Sequence, residues 1–300
     1  VQVGAGHIRA GGEVKIGERE IGPGHPPWVC AEISGEHCGS KDRAFALIRA
    51  AKDAGANAAK LQHFDPLQLA HARGDGDRNK VLTEGLWKGR ALLDLYLETW
   101  TPKDWFPGLF AYAKDIGITL FSSVFDEEGV DYLESLGCPA YKIASFELAD
   151  LALIRKAAST GKPVIISTGM GNDVEIGDAW EAAETSKTAL LHCVSAYPCS
   201  IADAGLQRLD WLGTWPETVI GLSDHTLGSV APVVATALGA SIIEKHITLD
   251  RKNGGPDAPF SLEPAEFARM VQDVKDAYAS LGTGERPKSE EIYRELRRKG

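Results

Sequence analysis

Polar side chains able to do chemistry stand at the ends of apolar runs throughout this 300-residue chain. In IIEKHITL (242–249), branched residues of the kind that favours buried strands bracket Glu244, Lys245 and His246. Buried strands hold such side chains only when each has a partner. Strand alternation puts Glu244 and His246 on one face with Ile242, and Lys245 on the other. For that strand alone, a buried ion pair or a core imidazole bonded to a backbone carbonyl would suffice; a site at the strand end would also explain it. Other runs end alike, in Glu32, Lys60 with Gln62, Ser122 with Ser123, Lys142 with Ser145, Ser167, His192 before Ser195 and Tyr197, and Ser223-Asp224-His225. Packing does not explain so many polar ends together; convergence on one site does.

The residue types sort by chemistry. Lys60 and Lys142 lie inside apolar strands among Ser123, Ser145, Ser167 and Ser223, a set suited to a phosphate or carboxylate. Any one serine alone would read as a turn or a helix cap. His225 and His246 end neighbouring strands, which lie about 4.8 Å apart. Two imidazoles that close are able to share a divalent metal, and one of them is equally able to act as a metal-free general acid. His192 sits earlier in its run and fits a satisfied core histidine, with Cys193 packing beside it.

The elements that must position these residues are short. Expected strands are WVCAEI (28–33), NAAKLQ (57–62), ITLFSS (118–123), AYKIAS (140–145), PVIIST (163–168), ALLHCV (189–194), TVIGLS (218–223) and SIIEKHI (241–247). Helical segments between them, such as DRAFALIRAAKDAG and SVAPVVATALG, stop at or near glycine. Eight such alternations predict an α/β fold, a (β/α)8 TIM barrel whose active site lies at the C-terminal ends of the strands. GGEVKIGEREIGPG predicts an N-terminal β-hairpin, within about 1–24, closing the barrel bottom. The segment 65–103 predicts a loop and an extra helix over the second strand, and 263–281 an eighth helix. The barrel domain is expected over 1–285, with a polar terminal helix or tail over 286–300.

Composition bounds the partners. The chain is 44% hydrophobic and 25% charged, as in ordinary globular proteins. A formal charge of −10 argues against nucleic acid. No apolar run approaches the roughly 20 residues of a membrane helix, and the N-terminal segment lacks the apolar core of a secretory signal. The five cysteines, odd in number and without CxxC, predict free thiols and a cytoplasmic location.

The segments AEISGEHCGS, AAKLQHF, FSSVFDEEGVDYLESLGCPAYKIASFE, GKPVIISTGM, LLHCVSAYP, GLSDHTLG, ALGASIIEKHITLDR and GGPDAPFSLEP follow one another from Val29 to Leu281. In them the chain resembles the sialic acid (N-acetylneuraminate) synthases, which include the pseudaminic and legionaminic acid synthases. The resemblance implies condensation of phosphoenolpyruvate with an aldehyde sugar, release of phosphate, a divalent cofactor (Mn2+, with Mg2+ or Co2+ as alternatives) and a homodimer. It implies phosphoenolpyruvate contacts at Lys60, Ser123, Lys142, Ser145, Ser167, Ser195 and Ser223, and metal ligands at His225 and His246. Glu32 would be the carboxylate near the reacting centre, forming the catalytic set with Lys142 and the two histidines. Gln62, Tyr197 and Asp257 would meet the acceptor, and Glu244 would orient His246 or its water.

The match is incomplete in places. Where the family reads AEIGxNHNG, this chain has AEISGEHCG, so Ser34 replaces Gly and Glu36 replaces Asn. STPF becomes SSVF, which keeps a hydroxyl at Ser123, and Ser195 replaces a common Asn. The resemblance implies a following antifreeze-like domain, and the sequence here ends at Gly300, so the expectation is either a protein that lacks that domain or a sequence cut before it. With Glu36 expected to face the acceptor, these departures predict poor use of N-acetylmannosamine and better use of an acceptor without the N-acetyl group, such as an unusual sugar or nucleoside aldehyde. Two other readings stay open: a catalytically silent barrel that binds a sugar or partner protein, and a metal-free aldolase forming a Schiff base through a lysine.

Overall fold

The computed structural model describes residues 11–72, 80–183, 187–283 and 288–296. Eight parallel strands close a barrel: β3 (Trp28–Glu32), β4 (Ala58–His63), β5 (Thr119–Val124), β6 (Tyr141–Ile143), β7 (Val164–Ser167), β8 (Thr188–Cys193), β9 (Val219–Asp224) and β10 (Ile242–His246). They neighbour one another in chain order, and β10 pairs with β3 to complete the ring. Each lies within the run expected for it or one residue beyond. Helices cover the outer face, so both faces of every strand are buried and the strands read as near-continuous apolar runs.

The helices are α1 (Lys41–Asp53), α2 (Pro66–Ala72), α3 (Leu92–Thr99), α4 (Phe106–Ile116), α5 (Glu127–Ser135), α6 (Leu151–Ala158), α7 (Asp173–Ala182), α8 (Arg208–Leu212), α9 (Val230–Ala237) and α10 (Pro264–Leu281). Local sequence starts many of them. Ser40, Asp126 and Asp150 each accept a backbone N–H as the helix N-cap, and Asn172 with Glu175 completes a capping box. Before the barrel, β1 (Val14–Ile16) and β2 (Arg19–Ile21) form the expected hairpin, with Ile16 and Ile21 buried. A hollow of about 610 Å³ between the hairpin and Trp28, Asn57 and Thr119 places it at the N-terminal end of the barrel. Residues 1–10 of the expected hairpin segment, and 286–287 and 297–300 of the expected tail, lie outside the described residues; Lys288–Leu296 is a 3-10 helix. Among the described residues no helix is long and apolar enough to cross a membrane.

Strand register decides what faces the barrel axis. Parallel partners share a face, so the pairs His246↔Glu32↔Lys60 and Glu244↔Ser223 carry one inward row around the ring. Gln62 pairs with Ser123, Ser123 with Lys142, and Cys193 with Ser223 on the same face. Below that polar layer the inward residues are small or apolar, including Trp28, Cys30, Phe121, Ile165, Leu191 and Ile242, and the Trp28 and Phe121 rings lie 5.5 Å apart. The barrel is thus a packed core with a polar upper end.

Lys245 and Asp224 point the other way, into the helical layer. Lys245 is fully buried, its Nζ 2.5 Å from Asp224 Oδ2, and it also donates to the Thr226 carbonyl. Asp224 in turn accepts from the Thr226 N–H at 2.9 Å. His225 lies between the two residues that this ammonium ties down. Removing Lys245 alone strands a buried carboxylate, which costs about 3–5 kcal/mol. Lys245→Met is therefore expected to lower the unfolding free energy in urea by that amount, and Lys245→Met/Asp224→Asn by clearly less. A loss below about 1 kcal/mol in the single variant would show that the pair does not hold this corner.

Candidate active site

A cavity of about 520 Å³ opens at the C-terminal ends of the strands. Its floor is polar: Glu32, Lys60, Gln62, Ser123, Lys142, Ser145, Ser167, Ser223 and Glu244. Its wall over β4 is apolar, built from Phe64, Leu69, Leu82, Trp87, Leu95 and Tyr96. That wall is the expected insertion after the second strand, and it holds two helices, α2 and α3, with an arch over 80–92 leading into α3. Leu82 N–H donates to Arg90 O at 3.0 Å and Leu92 N–H to Lys80 O at 2.9 Å, folding 80–92 back on itself. Trp87 at its tip donates from Nε1 to Pro256 O at 3.0 Å and packs on Tyr197 with ring centroids 5.3 Å apart. The arch therefore reaches the loop after β10.

The floor is a compact charge cluster. Lys60 Nζ lies 2.7 Å from Glu32 Oε2 and 3.6 Å from Glu244 Oε1, and donates to Ser123 Oγ at 3.0 Å. Lys142 Nζ donates to Ser167 Oγ at 2.6 Å and lies 4.0 Å from Glu244 Oε1. Ser223 Oγ donates to Glu244 at 3.0 Å. Burial pulls the Lys60 ammonium down, but Glu244 and Glu32 outweigh it and raise its pKa. Burial also pulls Lys142 down, and there the pull of Glu244 compensates only in part. The same burial lifts both carboxyls, yet Lys142 and Lys60 hold Glu244 below the usual range, whereas Glu32, repelled by Glu244, stays raised despite its contact with Lys60. Glu244 is the ionised partner of both lysines, and Glu32 is the carboxyl more ready to carry a proton.

On the opposite side the His225 and His246 rings lie 5.5 Å apart. His225 Nδ1 is 2.9 Å from Val194 O and 3.9 Å from Cys193 Sγ. His246 Nδ1 is buried without a hydrogen-bond partner among the described residues, and Asp257 Oδ2 stands 3.7 Å from it. Burial, then the charges of His225 and Lys60, lower the His246 pKa far enough to keep that imidazole neutral. Burial pushes the Asp257 carboxyl up to about 7, partly offset by the hydroxyl of Ser34, which donates to it at 2.6 Å. A neutral imidazole with a buried, unmatched nitrogen beside a second imidazole fits a divalent cation. Among the described residues no third His, Cys, Asp or Glu completes a ligand cluster with them, so water or substrate would fill the other positions.

The profile of the NeuB family matches residues 47–286. The pseudaminic acid synthase of Helicobacter pylori is 40% identical over 264 residues, 87% of this chain and 77% of that protein. The chain belongs to the NeuB family. The N,N'-diacetyllegionaminic acid synthase of Legionella pneumophila is 34% identical, over 88% of this chain and 75% of its own. The N-acetylneuraminic acid synthetase of Leptospira borgpetersenii, solved with citrate, superposes with a TM-score of 0.85 at 32% identity, covering 98% of this chain and all of that one. As a NeuB member with these relatives, the chain is an enzyme of the sialic acid synthase type.

The structure brings together most of the residues singled out in the sequence. Glu32, Lys60, Gln62, Ser123, Lys142, Ser145, Ser167, Tyr197, Ser223, His225, His246 and Asp257 all line the one cavity. Ser195 does not; its hydroxyl is buried close to Gly169 and Ser145, after β7 and β6. Glu36 does not line it either. It is fully buried and accepts from the Gly255 N–H at 3.1 Å, so it does not face the acceptor as expected and gives no reason for an acceptor without an N-acetyl group. Glu244 does not orient His246: although the two share a face, its carboxylate turns to the lysines, and Asp257 is the carboxylate beside His246. His192 is a core histidine on the outward face, bonded to Ala204 O at 2.6 Å. Sequence reasoning misses Ser34, Trp87, Tyr96 and Phe125 as wall residues. Trp87 belongs to a charged, glycine-containing stretch with no strand or helix to point it inward, and Tyr96 to a helix of only eight residues.

Replacing Glu244 with Gln leaves two buried ammonium groups with one carboxylate between them. Glu244→Gln is expected to lose about 1.5–3 kcal/mol of stability. Inorganic phosphate should then raise the melting temperature of the variant more than that of the parent, because the anion restores the missing charge. An equal or smaller phosphate shift in the variant would separate Glu244 from the anion site.

Proposed function

We propose that this chain condenses phosphoenolpyruvate with the aldehyde of an N-acylated amino sugar, giving a 2-keto-3-deoxy acid and phosphate. The observation that carries the reading is the pairing, in one cavity, of two buried lysines among serine hydroxyls with two imidazoles on the facing strands. A trianionic donor needs fixed cations and short donors, and Lys60, Lys142, Ser123, Ser145, Ser167 and Ser223 supply both. The apolar wall of Leu82, Trp87, Leu95 and Tyr96 suits the acyl and alkyl parts of such an acceptor, while Gln62, Tyr197 and Asp257 offer polar contacts nearby.

The steps balance without an added redox partner. C3 of phosphoenolpyruvate attacks the aldehyde carbon, forming the C–C bond and leaving positive charge at C2. Water adds to C2, and the bond between C2 and the ester oxygen then breaks: phosphate leaves with the electron pair, and the proton lost from the C2 hydroxyl matches the one the aldehyde oxygen takes up. Lys60 and Lys142 hold the donor's phosphate and carboxylate in position against their mutual repulsion. Glu32, a carboxyl raised by burial beside Lys60 and bonded to Gln62, takes the proton from the adding water. His225 and His246 would hold a divalent cation, with Mn2+ the first to test, that when bound polarises the aldehyde oxygen as a Lewis acid.

One observation favours a second reading. Lys142 is a buried amine lowered from its usual pKa, as a Schiff-base aldolase requires. Borohydride with pyruvate is expected to leave Lys142 unmodified; a trapped adduct would replace the condensation by that chemistry. The decisive assay mixes the protein with phosphoenolpyruvate, Mn2+ and a panel of aldoses, and reads phosphate and product mass. Lys142→Ala should raise KM for phosphoenolpyruvate by about tenfold or more, since a charge-assisted bond contributes about 1.5–3 kcal/mol, with little change in KM for the acceptor. His246→Ala should abolish turnover and Mn2+ binding by calorimetry while the fold is kept. Near-normal turnover by metal-stripped His246→Ala protein would end the metal assignment.

A further inference from the structure

Glu36 is a buried acid that the proposed chemistry does not use. It sits in the loop between β3 and α1, and Arg43 braces its backbone, donating from Nε to Glu36 O at 2.6 Å. Its carboxylate reaches across to the loop after β10, where it accepts from the Gly255 N–H. The approach is close enough to exclude side chains on that loop. A Cβ on Gly254 would lie 2.6 Å from Glu36 Oε2 and 2.4 Å from Ala258 Cβ, and one on Gly255 would lie 2.7 Å from Gly35 O. Burial raises the Glu36 carboxyl, and the nearby Thr248 hydroxyl, the Gly255 N–H and Arg43 pull it back part-way.

The pinned loop carries two acceptor-side features. Pro256 O receives the indole N–H of Trp87, and the Asp257 carboxylate receives the hydroxyl of Ser34 and faces His246. Ser34 lies two residues before Glu36 and also accepts from Gln62 Nε2 at 3.3 Å. Three contacts from two different parts of the mouth therefore meet on residues 255–257, and Glu36 makes the one that does not line the cavity.

We propose that Glu36 is a positioning residue for the acceptor half of the site: it fastens the Gly254–Asp257 loop to the β3–α1 loop, and so sets Asp257 and the docking point of Trp87 before the acceptor arrives. This rests on the condensation proposed above. The loop reaches the Lys60 side of the donor pocket through Ser34, Gln62 and Glu32 in turn, so the two substrates should respond differently. Glu36→Leu keeps volume and removes the acceptor atom, whereas Glu36→Gln keeps an oxygen for the Gly255 N–H.

The experiment measures both KM values and amide hydrogen exchange on the full chain. Glu36→Leu is expected to raise KM for the acceptor about tenfold, leave KM for phosphoenolpyruvate within about twofold, and speed exchange across 254–260 but not across 28–32. Glu36→Gln should stay within about twofold of the parent throughout. If Glu36→Leu does not fold, Glu36→Asp, which withdraws the carboxylate by one methylene, should show the same split. Equal rises in both KM values, or unchanged exchange across 254–260, overturns the proposal. Exchange needs no turnover, so a chain that fails to condense any acceptor would refute the proposed function without deciding the role of Glu36.

Discussion

Two ammonium groups buried at the mouth of a barrel set the terms for the rest of the site. Lys60 and Lys142 cannot stay charged in such a place unless carboxylates are held beside them. Glu244 meets that need for both lysines and Glu32 for one, and Ser123, Ser167 and Ser223 complete the hydrogen bonds. Each partner comes from a different strand, so the cluster exists only when the ring of eight is closed in the correct register. The fold thereby assembles a fixed field suited to a multiply charged anion, with little left to reorganise when one binds.

The other half of the cavity is built on a different principle. It comes from an insertion between β4 and α4 and from the loop after β10, and it is largely apolar and aromatic. A rigid, charged floor and a greasy wall on inserted segments divide the labour within one pocket. The floor offers fixed charge and hydrogen-bond donors from the strands themselves, and the wall offers apolar surface from segments outside the ring.

Much of the barrel and of its charged floor is legible in the sequence. Branched apolar runs punctuated by glycine-terminated helices give the eight strands, because strands covered on both faces need unbroken hydrophobic sequence. The alternation rule places Lys60, Ser123, Lys142, Ser223 and His246 on the inner face. What that rule lacks is distance across the ring. Sharing a face and lying two residues apart suggests that Glu244 serves His246, yet its carboxylate finds the ammonium groups, and Asp257, more than ten residues downstream, takes the place beside the imidazole. Glu36 misleads for a similar reason. A charged residue in a loop after a strand looks exposed or ligand-facing, and only the tertiary approach of two glycines, more than two hundred residues away, buries it. Trp87 gives no sign of being a wall residue because an arch tied by a few backbone bonds has no periodic signature.

The tenth strand also acts as a check on its own alignment. Its five residues carry two incompatible sets of partners, a carboxylate and an imidazole for the interior and an ammonium for the helical layer. A slip of one position would send Glu244 and His246 toward the apolar flanks of the helices and bring Lys245 in among like charges. Both faces would then lose their counter-ions at once. Misalignment by a single residue is thus penalised twice on the strand that bears a candidate metal ligand.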